Sequence, residues 1–500
     1  MGDMRFELRP PERVCDAMVR RAYLAGLDRV PWRARTVRVD ALDHVELRIE
    51  RRESEAGSLS IPWPVAGYGY LALSTGTLTE RDEPYAIPLE LARGKIGQVR
   101  NQVAEWKTAG LEVPARLSAT LAEATQLLGL SVSTRHRSPQ AVEAAQRALQ
   151  LAVEGAHVLS GAFAEQATAF RRAMALRLPT LLGASVGFTP PNDSEGELLA
   201  GAFNTACVPI VWRSVETAEG AYDWDALDRQ VAWCRERGLV IGAGPLVQLD
   251  ARSAPDWLYL CEGDVEAAID MATDFVRATV SRYAGKIDFW IVASRINTGE
   301  LLSLSEADKL QLAATLVGAA RAADRAADIL IAIDQPWGEY MATCDSELPP
   351  IHFADALLRA DLGLTGLAIE LNVGFAPGAT TPRDPLDVGR MIDYWSGLSA
   401  PLYLSVAVPG PPESDAASPH AIAPHAIAPT PDAGSPVAQQ AWVLCNVPPM
   451  LARSAVRAVL WNTLRDADPH MLSHAGLMDA DGRAKPALRS FAALRKAYLR

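Results

Sequence analysis

The side chains of this sequence best suited to chemistry fall just after short apolar runs. Arg295 and Asn297 follow the run Ile287 to Ala293, Asp334 and Glu339 follow ILIAI in DQPWGEY, and Glu370 closes GLAIELN. With Trp337 in the second of these segments and Trp461 ending AVRAVLW, the set offers three carboxylates, a guanidinium, an amide and two indoles. Such groups can clamp a polyol, hydrogen-bonding its hydroxyls and stacking on its ring. They can also place two carboxylates for a hydrolysis, Glu370 with Asp334 or Glu339 as acid and base. A third reading is an ion pair of Glu370 with Arg295 on neighbouring strand ends. Glu300, five residues past Arg295, reads as an exposed loop carboxylate, and Trp290 as a residue of the core or helix layer.

A polar cluster of this kind needs elements that end together. From Thr180 to Arg500 apolar runs alternate with helical patterns, the signature of a parallel α/β domain. TLLGASVGF, ACVPIVW, LVIGAGPLV, IDFWIVA, ILIAID, GLAIELNV, PLYLSVAV and AVRAVLW are eight candidate strands, enough to close a (β/α)8 TIM barrel with its functional rim at the strand C-termini. Residues 1–86 are β-rich, with RTVRVD, HVELRIERR, GSLSIPWPV and GYGYLALSTGTL broken by Gly, Pro and Asp, and predict a small sandwich-like accessory domain. Its Trp63, Tyr68 and Tyr70 are aromatics that can stack on sugar, or fill the sandwich. Residues 87–178 are Ala-rich with apolar spacing of three and four, and predict a helical linker domain in which Ser138-Pro139 caps a helix. The barrel domain, 179–500, is interrupted by the Pro/Ala-rich run 409–440 with its duplicated HAIAP at His420 and His425, a composition that cannot build a core and predicts a disordered loop. The two histidines lack Cys or carboxylate partners at metal-site spacing.

Five hundred residues suit two or three domains, and 49% apolar with 22% charged residues is an ordinary globular balance. A net charge of -12 disfavours nucleic acid, because an acidic surface repels phosphate backbones. No apolar run approaches the roughly 20 residues of a membrane helix. The charged start MGDMRFELRPPERVCD has no signal-peptide core, so a cytoplasmic address is expected. Six scattered cysteines without C-x-x-C spacing read as free thiols.

Several motifs, in order, resemble family 10 glycoside hydrolases, the xylanases. Tyr283, Gly285, Ile287, Trp290 and Val292 match that family's fourth-strand pattern, Y-x-G-x-I-x-x-W-D-V-V-N-E. Phe203-Asn204, then Trp212, Glu216, Gly220, Tyr222 and Trp224, echo its F-N and E-x-x-x-G-x-Y-x-W segments. Pro255 with Trp257, Trp461 with Asp466, and Lys485-Pro486-Ala487 match later ones. The resemblance covers roughly 180–500 and implies a barrel, a carbohydrate ligand and no cofactor or metal.

It also implies two catalytic glutamates, and this sequence departs there. Arg295 stands at the acid/base position and Ser405 at the nucleophile position, while the family's sugar-gripping segments read Gly242 to Gln248 and Cys207 to Trp212. A retaining glycosidase needs two carboxylates about 5–5.5 Å apart. Arginine stays protonated, and serine without a base is a poor nucleophile. The expectation is a xylanase-like pseudoenzyme that binds a carbohydrate or other polar ligand at the rim through Arg295, Asn297, Asp334, Trp337, Glu339, Glu370 and Trp461. The alternatives are an active glycoside hydrolase with relocated carboxylates, and a scaffold protein.

Overall fold

Eight of the apolar segments bury both faces, as strands in the centre of a parallel sheet must. In the computed structural model, which describes residues 2–52, 54–134, 137–175, 178–250, 252–375, 379–410, 436–469 and 472–499, they are Leu181–Ser185, Thr205–Val208, Val240–Ala243, Phe289–Ser294, Asp328–Ile333, Gly366–Asn372, Leu402–Ala407 and Val456–Trp461. Each pairs in parallel with the next, and the eighth pairs with the first, so the sheet closes into the expected (β/α)8 barrel.

Side-chain alternation then decides what each residue can do. The lower interior is apolar: Leu181, Phe289, Ile291, Leu330, Ala332, Tyr403 and Leu460 pack together, with Phe289 and Tyr403 ring centroids 5.2 Å apart. Two residues further along the same inward rows come Glu370 after Ala368, Ser405 after Tyr403 and Asn462 after Leu460, so the barrel turns polar toward its strand ends. The fourth strand reaches this layer through a shift of register between Ile291 and Ala293 against the fifth. That extra residue sets Ala293 into the outer core and turns Ser294 inward.

The framework motifs close loops rather than line the mouth. Glu216 accepts from Trp212 Nε1 at 2.6 Å and from the Gly220 amide at 2.8 Å. Asp466 pairs with Lys485 at 2.6 Å and accepts from the Gly476 amide at 2.8 Å. Trp290 is fully buried in the outer core.

Ahead of the barrel lie two small sheets. One orders Arg35–Asp40, Val45–Arg51, Gly2–Leu8 and Tyr85–Ala86; the other orders Tyr23–Ala25, Ser58–Val65 and Gly69–Ser74. Three helices follow, Ile87–Thr108, Ala115–Ser133 and Pro139–Met174, the last capped by Ser138, whose side chain accepts from the Ala141 amide. Phe6, Leu47, Ile61 and Trp63 of the sheets share one core with Leu91, Ile96, Leu149 and Val153 of the helices. Sheets and helices thus form one packed unit, in which residue 86 marks a change of secondary structure within a common core. Trp63 is wholly buried there, and Tyr68 packs on His157 with centroids 4.8 Å apart. Residues 411–435, with His420 and His425, lie outside the described residues, and the helix Pro436–Leu451 takes in the last five residues of the expected loop. Gln439 anchors that helix, donating to Val408 O at 3.1 Å. Among the described residues no helix is long and apolar enough to cross a membrane.

This unit docks on the barrel loops that follow the fifth and sixth strands. The Ala72 amide donates to Pro382 O at 2.7 Å. Arg383 donates to Tyr23 Oη and to Glu339 Oε1, both at 3.0 Å, and stacks over Trp337 at 4.5 Å. Lys95, 3% exposed, pairs with buried Asp384 and stands 3.4 Å from Asp387. Removing one member of such a buried cluster strands the others. Lys95→Met is therefore expected to lower stability by about 3–5 kcal/mol in urea denaturation; a loss below about 1 kcal/mol, the range of exposed pairs, would contradict it.

Candidate functional site

The polar layer at the strand ends is organised by Glu370. Its register partner on the seventh strand is Ser405. One carboxylate oxygen accepts from the Ser294 hydroxyl. The other accepts from Asn372 Nδ2 at 2.9 Å and lies 3.5 Å from Arg295 Nε. The line continues: Asn462 Nδ2 donates to Asn372 Oδ1 at 2.9 Å, and the Ser405 hydroxyl donates to Asn462 Oδ1. Arg295, Glu370, Asn372, Asn462 and Ser405 thus form one hydrogen-bonded chain across the fourth, sixth, eighth and seventh strands.

Asp334 stands at the end of the fifth strand, 2% exposed. Its carboxylate accepts from the Gln335 amide at 2.9 Å and the Thr298 hydroxyl at 3.2 Å. Burial pushes its pKa up to about 7, with Arg295 pulling it down and Glu370 pushing it further up. For Arg295, burial disfavours the charge, but Glu370, Asp334 and Asp250 outweigh it and raise the pKa above the ordinary arginine value. The guanidinium is a fixed cation. Asn297 holds the two strand ends together, donating to Asp334 O at 2.9 Å and accepting from the Asp334 amide at 3.2 Å. Arg295 and Gln335, one after each strand, both have left-handed backbone, φ 54° and 49°. Non-glycine residues hold such angles only where their surroundings over-determine them.

Above this layer opens a cavity of about 670 Å³, bordered by Phe188, Ile210, Gln248 and Arg252 as well as the strand ends. That volume suits a small ligand. Cys207 borders it too, but burial pushes its thiol up to about 12, so it is no nucleophile near neutrality. Among the described residues no group of three His, Cys, Asp or Glu side chains could hold a metal.

The residues singled out from sequence divide into three places. Arg295, Glu370 and Ser405 border the cavity. Asp334 and Asn297 are tied to each other at the adjoining strand ends and are not among its lining residues. Trp461 borders the cavity, yet its ring packs edge-on to Phe491 and donates to Ala475 O at 2.8 Å, in the helix layer. Trp337 and Glu339 belong to the docking contact with Arg383, away from Glu370. Glu300 is exposed. Ser294, Asn372 and Asn462 escaped sequence reading. Alternation marks Asn372, two residues past Glu370, and the same rule makes Asn462, not Trp461, the inward residue of the eighth strand.

No family model and no curated protein sequence matches the chain. Solved structures do match in fold. Xylanase 10B from Thermotoga maritima aligns over 98% of its own chain and 65% of this one, with 14% identity and a TM-score of 0.50. Xylanase 10B from Thermotoga petrophila RKU-1, in complex with xylobiose, aligns over 97% of its chain and 65% of this one, with 14% identity and a TM-score of 0.48. For GH10 from Paenibacillus barcinonensis the figures are 95%, 64%, 16% and 0.47. The likeness is of a family 10 barrel, and at this identity it is a likeness of fold.

Two predictions follow from the charges. The folded-state pKa of Asp334 lies above its unfolded value, so between about pH 4 and 7 the native state keeps a proton the unfolded state has released, and stability falls as pH rises. Asp334→Asn removes that fall, so the variant should gain on the parent by on the order of 2–4 kcal/mol across the window; parallel stability curves would refute the assignment. Arg295→Met should cost about 3–5 kcal/mol near neutrality by leaving Glu370 buried and unpaired, with much of the loss recovered in Arg295→Met/Glu370→Gln. Additive losses in that double-mutant cycle would show that the two groups act separately.

Proposed function

We propose that the barrel binds a carbohydrate or similar polyol in its strand-end cavity and does not hydrolyse it. The observation that carries this reading is the state of Glu370, whose two oxygens are engaged by Ser294, Asn372 and Arg295. Glycoside hydrolysis by a retaining or inverting route asks for two carboxylates flanking the scissile bond, one to give a proton and one to attack or activate water. The resemblance assigns those positions to Arg295 and Ser405, a permanent cation and a hydroxyl hydrogen-bonded to an amide oxygen. Ser405 has no histidine or other base among its hydrogen-bond partners in the described residues, so its oxygen stays a weak nucleophile. The relocated pairs lose support for a related reason. Glu339 is taken by Arg383, and Asp334 does not line the cavity that Glu370 lines.

Binding keeps what the site does offer. Hydroxyl, amide, carboxylate and guanidinium groups stand in one row on the floor, each able to trade a neighbour for a ligand hydroxyl, beneath walls with apolar patches from Phe188 and Ile210. The six free cysteines fit a reducing, cytoplasmic setting. Xylo-oligosaccharides are the first probes, given the resemblance. At saturation they should raise Tm by roughly 1–3 °C, an effect lost in Asn462→Ala, while aryl β-xyloside turnover stays at background. Turnover that disappears in Glu370→Gln would instead establish a hydrolase.

A further inference from the structure

The seam between the N-terminal unit and the barrel encloses a second cavity, about 480 Å³, remote from the Glu370 row in its lining. Four guanidiniums border it, Arg29, Arg93, Arg383 and Arg390, against two carboxylates, Asp28 and Asp387. Most of these charges are already matched. Asp28 accepts from the Val30 amide at 3.1 Å, and Asp387 takes Lys95 at 3.4 Å together with Gln98. Arg93 pairs with Glu90 at 3.0 Å, and Arg383 with Glu339 at 3.0 Å. Arg29 and Arg390 have no partner in bonding contact, although Arg390 still draws the Asp387 carboxyl down through space. Neither side chain makes an ion pair or hydrogen bond among the described residues, in a chain whose net charge is -12.

Their placement is built. The turn closed by the Arg29 amide on Gly26 O at 3.1 Å holds Arg29 in the left-handed region, φ 65°, at the exposed mouth. Its pKa is lowered, first by partial withdrawal from water and then by the positive charge of Arg390, with Asp387 opposing. The two cations are therefore near enough to repel. Deeper in, two polar atoms have no hydrogen-bond partner among the described residues: Ser60 Oγ, on a residue 3% exposed, and Arg383 Nε, on a residue 6% exposed. Buried donors and acceptors are seldom left unmatched without reason. Trp337 and Tyr394 add aromatic faces to the same lining.

We propose that this cavity is a binding site for a small polyhydroxylated oxyanion. A carboxylate or phosphate group sits between Arg29 and Arg390, and hydroxyls of the same molecule reach Ser60 and Arg383. Two guanidiniums converging on one group of oxygens is the arrangement that recognises carboxylate or phosphate through charge-assisted hydrogen bonds. A neutral sugar would bring neither cation a bonded anion, and a bare anion would leave the inner polar atoms unused.

The test is calorimetric titration and thermal shift on the full chain, with glucuronate, glucose 6-phosphate, inorganic phosphate and glucose as probes at matched ionic strength. Glucuronate or glucose 6-phosphate should bind and raise Tm, the tighter of the two identifying the oxyanion, and glucose should not. Arg29→Gln/Arg390→Gln should weaken that binding about tenfold or more. Asn462→Ala, in the barrel mouth, should leave it unchanged, which separates this site from the one proposed above. Binding of neither organic anion, equal binding of glucose, equal binding of inorganic phosphate, or unchanged binding by the double variant would each overturn the proposal.

Discussion

A guanidinium drawn out of water at the end of the fourth barrel strand has to be neutralised where it stands, and the rest of the mouth is arranged around that demand. Arg295 cannot shed its proton, so a carboxylate must remain ionised beside it. Glu370 fills this role from the sixth strand at 3.5 Å, and a buried carboxylate needs donors for its remaining lone pairs. Ser294 and Asn372 supply them. Asn372 then has an amide oxygen to satisfy, which Asn462 does, and Asn462 in turn takes the Ser405 hydroxyl. One half-buried cation thereby explains polar side chains on four strands.

The same demand limits the second acid. A charge on Asp334 finds burial and the neighbouring Glu370 against it and Arg295 with the Gln335 and Thr298 hydrogen bonds in its favour, and burial outweighs them. Its proton is retained to about pH 7. In an open cleft such a raised carboxyl would read as a general acid. Here it is bound to the fourth strand through Thr298 and Asn297 at the edge of the mouth, so the raised pKa reads as a consequence of crowding in a structural cluster.

How much of this the sequence disclosed follows from what pattern encodes. The barrel was legible because buried parallel strands are apolar runs and the helices between them have their own period. The adjacency of Arg295 and Glu370 was legible because both follow such runs. Which side each residue faces was harder. Trp461 ends its strand and has the chemistry of a sugar platform, but sits one residue off the inward row, whereas Asn462 is on it. The register shift before Ala293 is a backbone event with no residue signature, and it alone brings Ser294 to Glu370. Position after the fifth strand points Glu339 and Trp337 to the rim, and nothing in the sequence signals that a separate packed unit claims that loop through Arg383.

That claim ties the two cavities to a common segment. Glu370 and Asn372 end the sixth strand at one cavity, and Arg383, eleven residues beyond Asn372, borders the other. Between them the Thr380 amide returns to Asn372 O at 3.0 Å, and the Gly374 amide to Thr380 O at 3.0 Å. The loop is thus pinned back on the strand that carries Glu370 before it runs on to Arg383. Its far end is fixed by Glu339, which accepts from the Thr381 amide at 3.3 Å and from Arg383 at 3.0 Å. The segment that leaves the sixth strand thus supplies residues to both cavities, Glu370 and Asn372 to one and Arg383 to the other, and its bonds to Glu339 are what hold Arg383 at the seam.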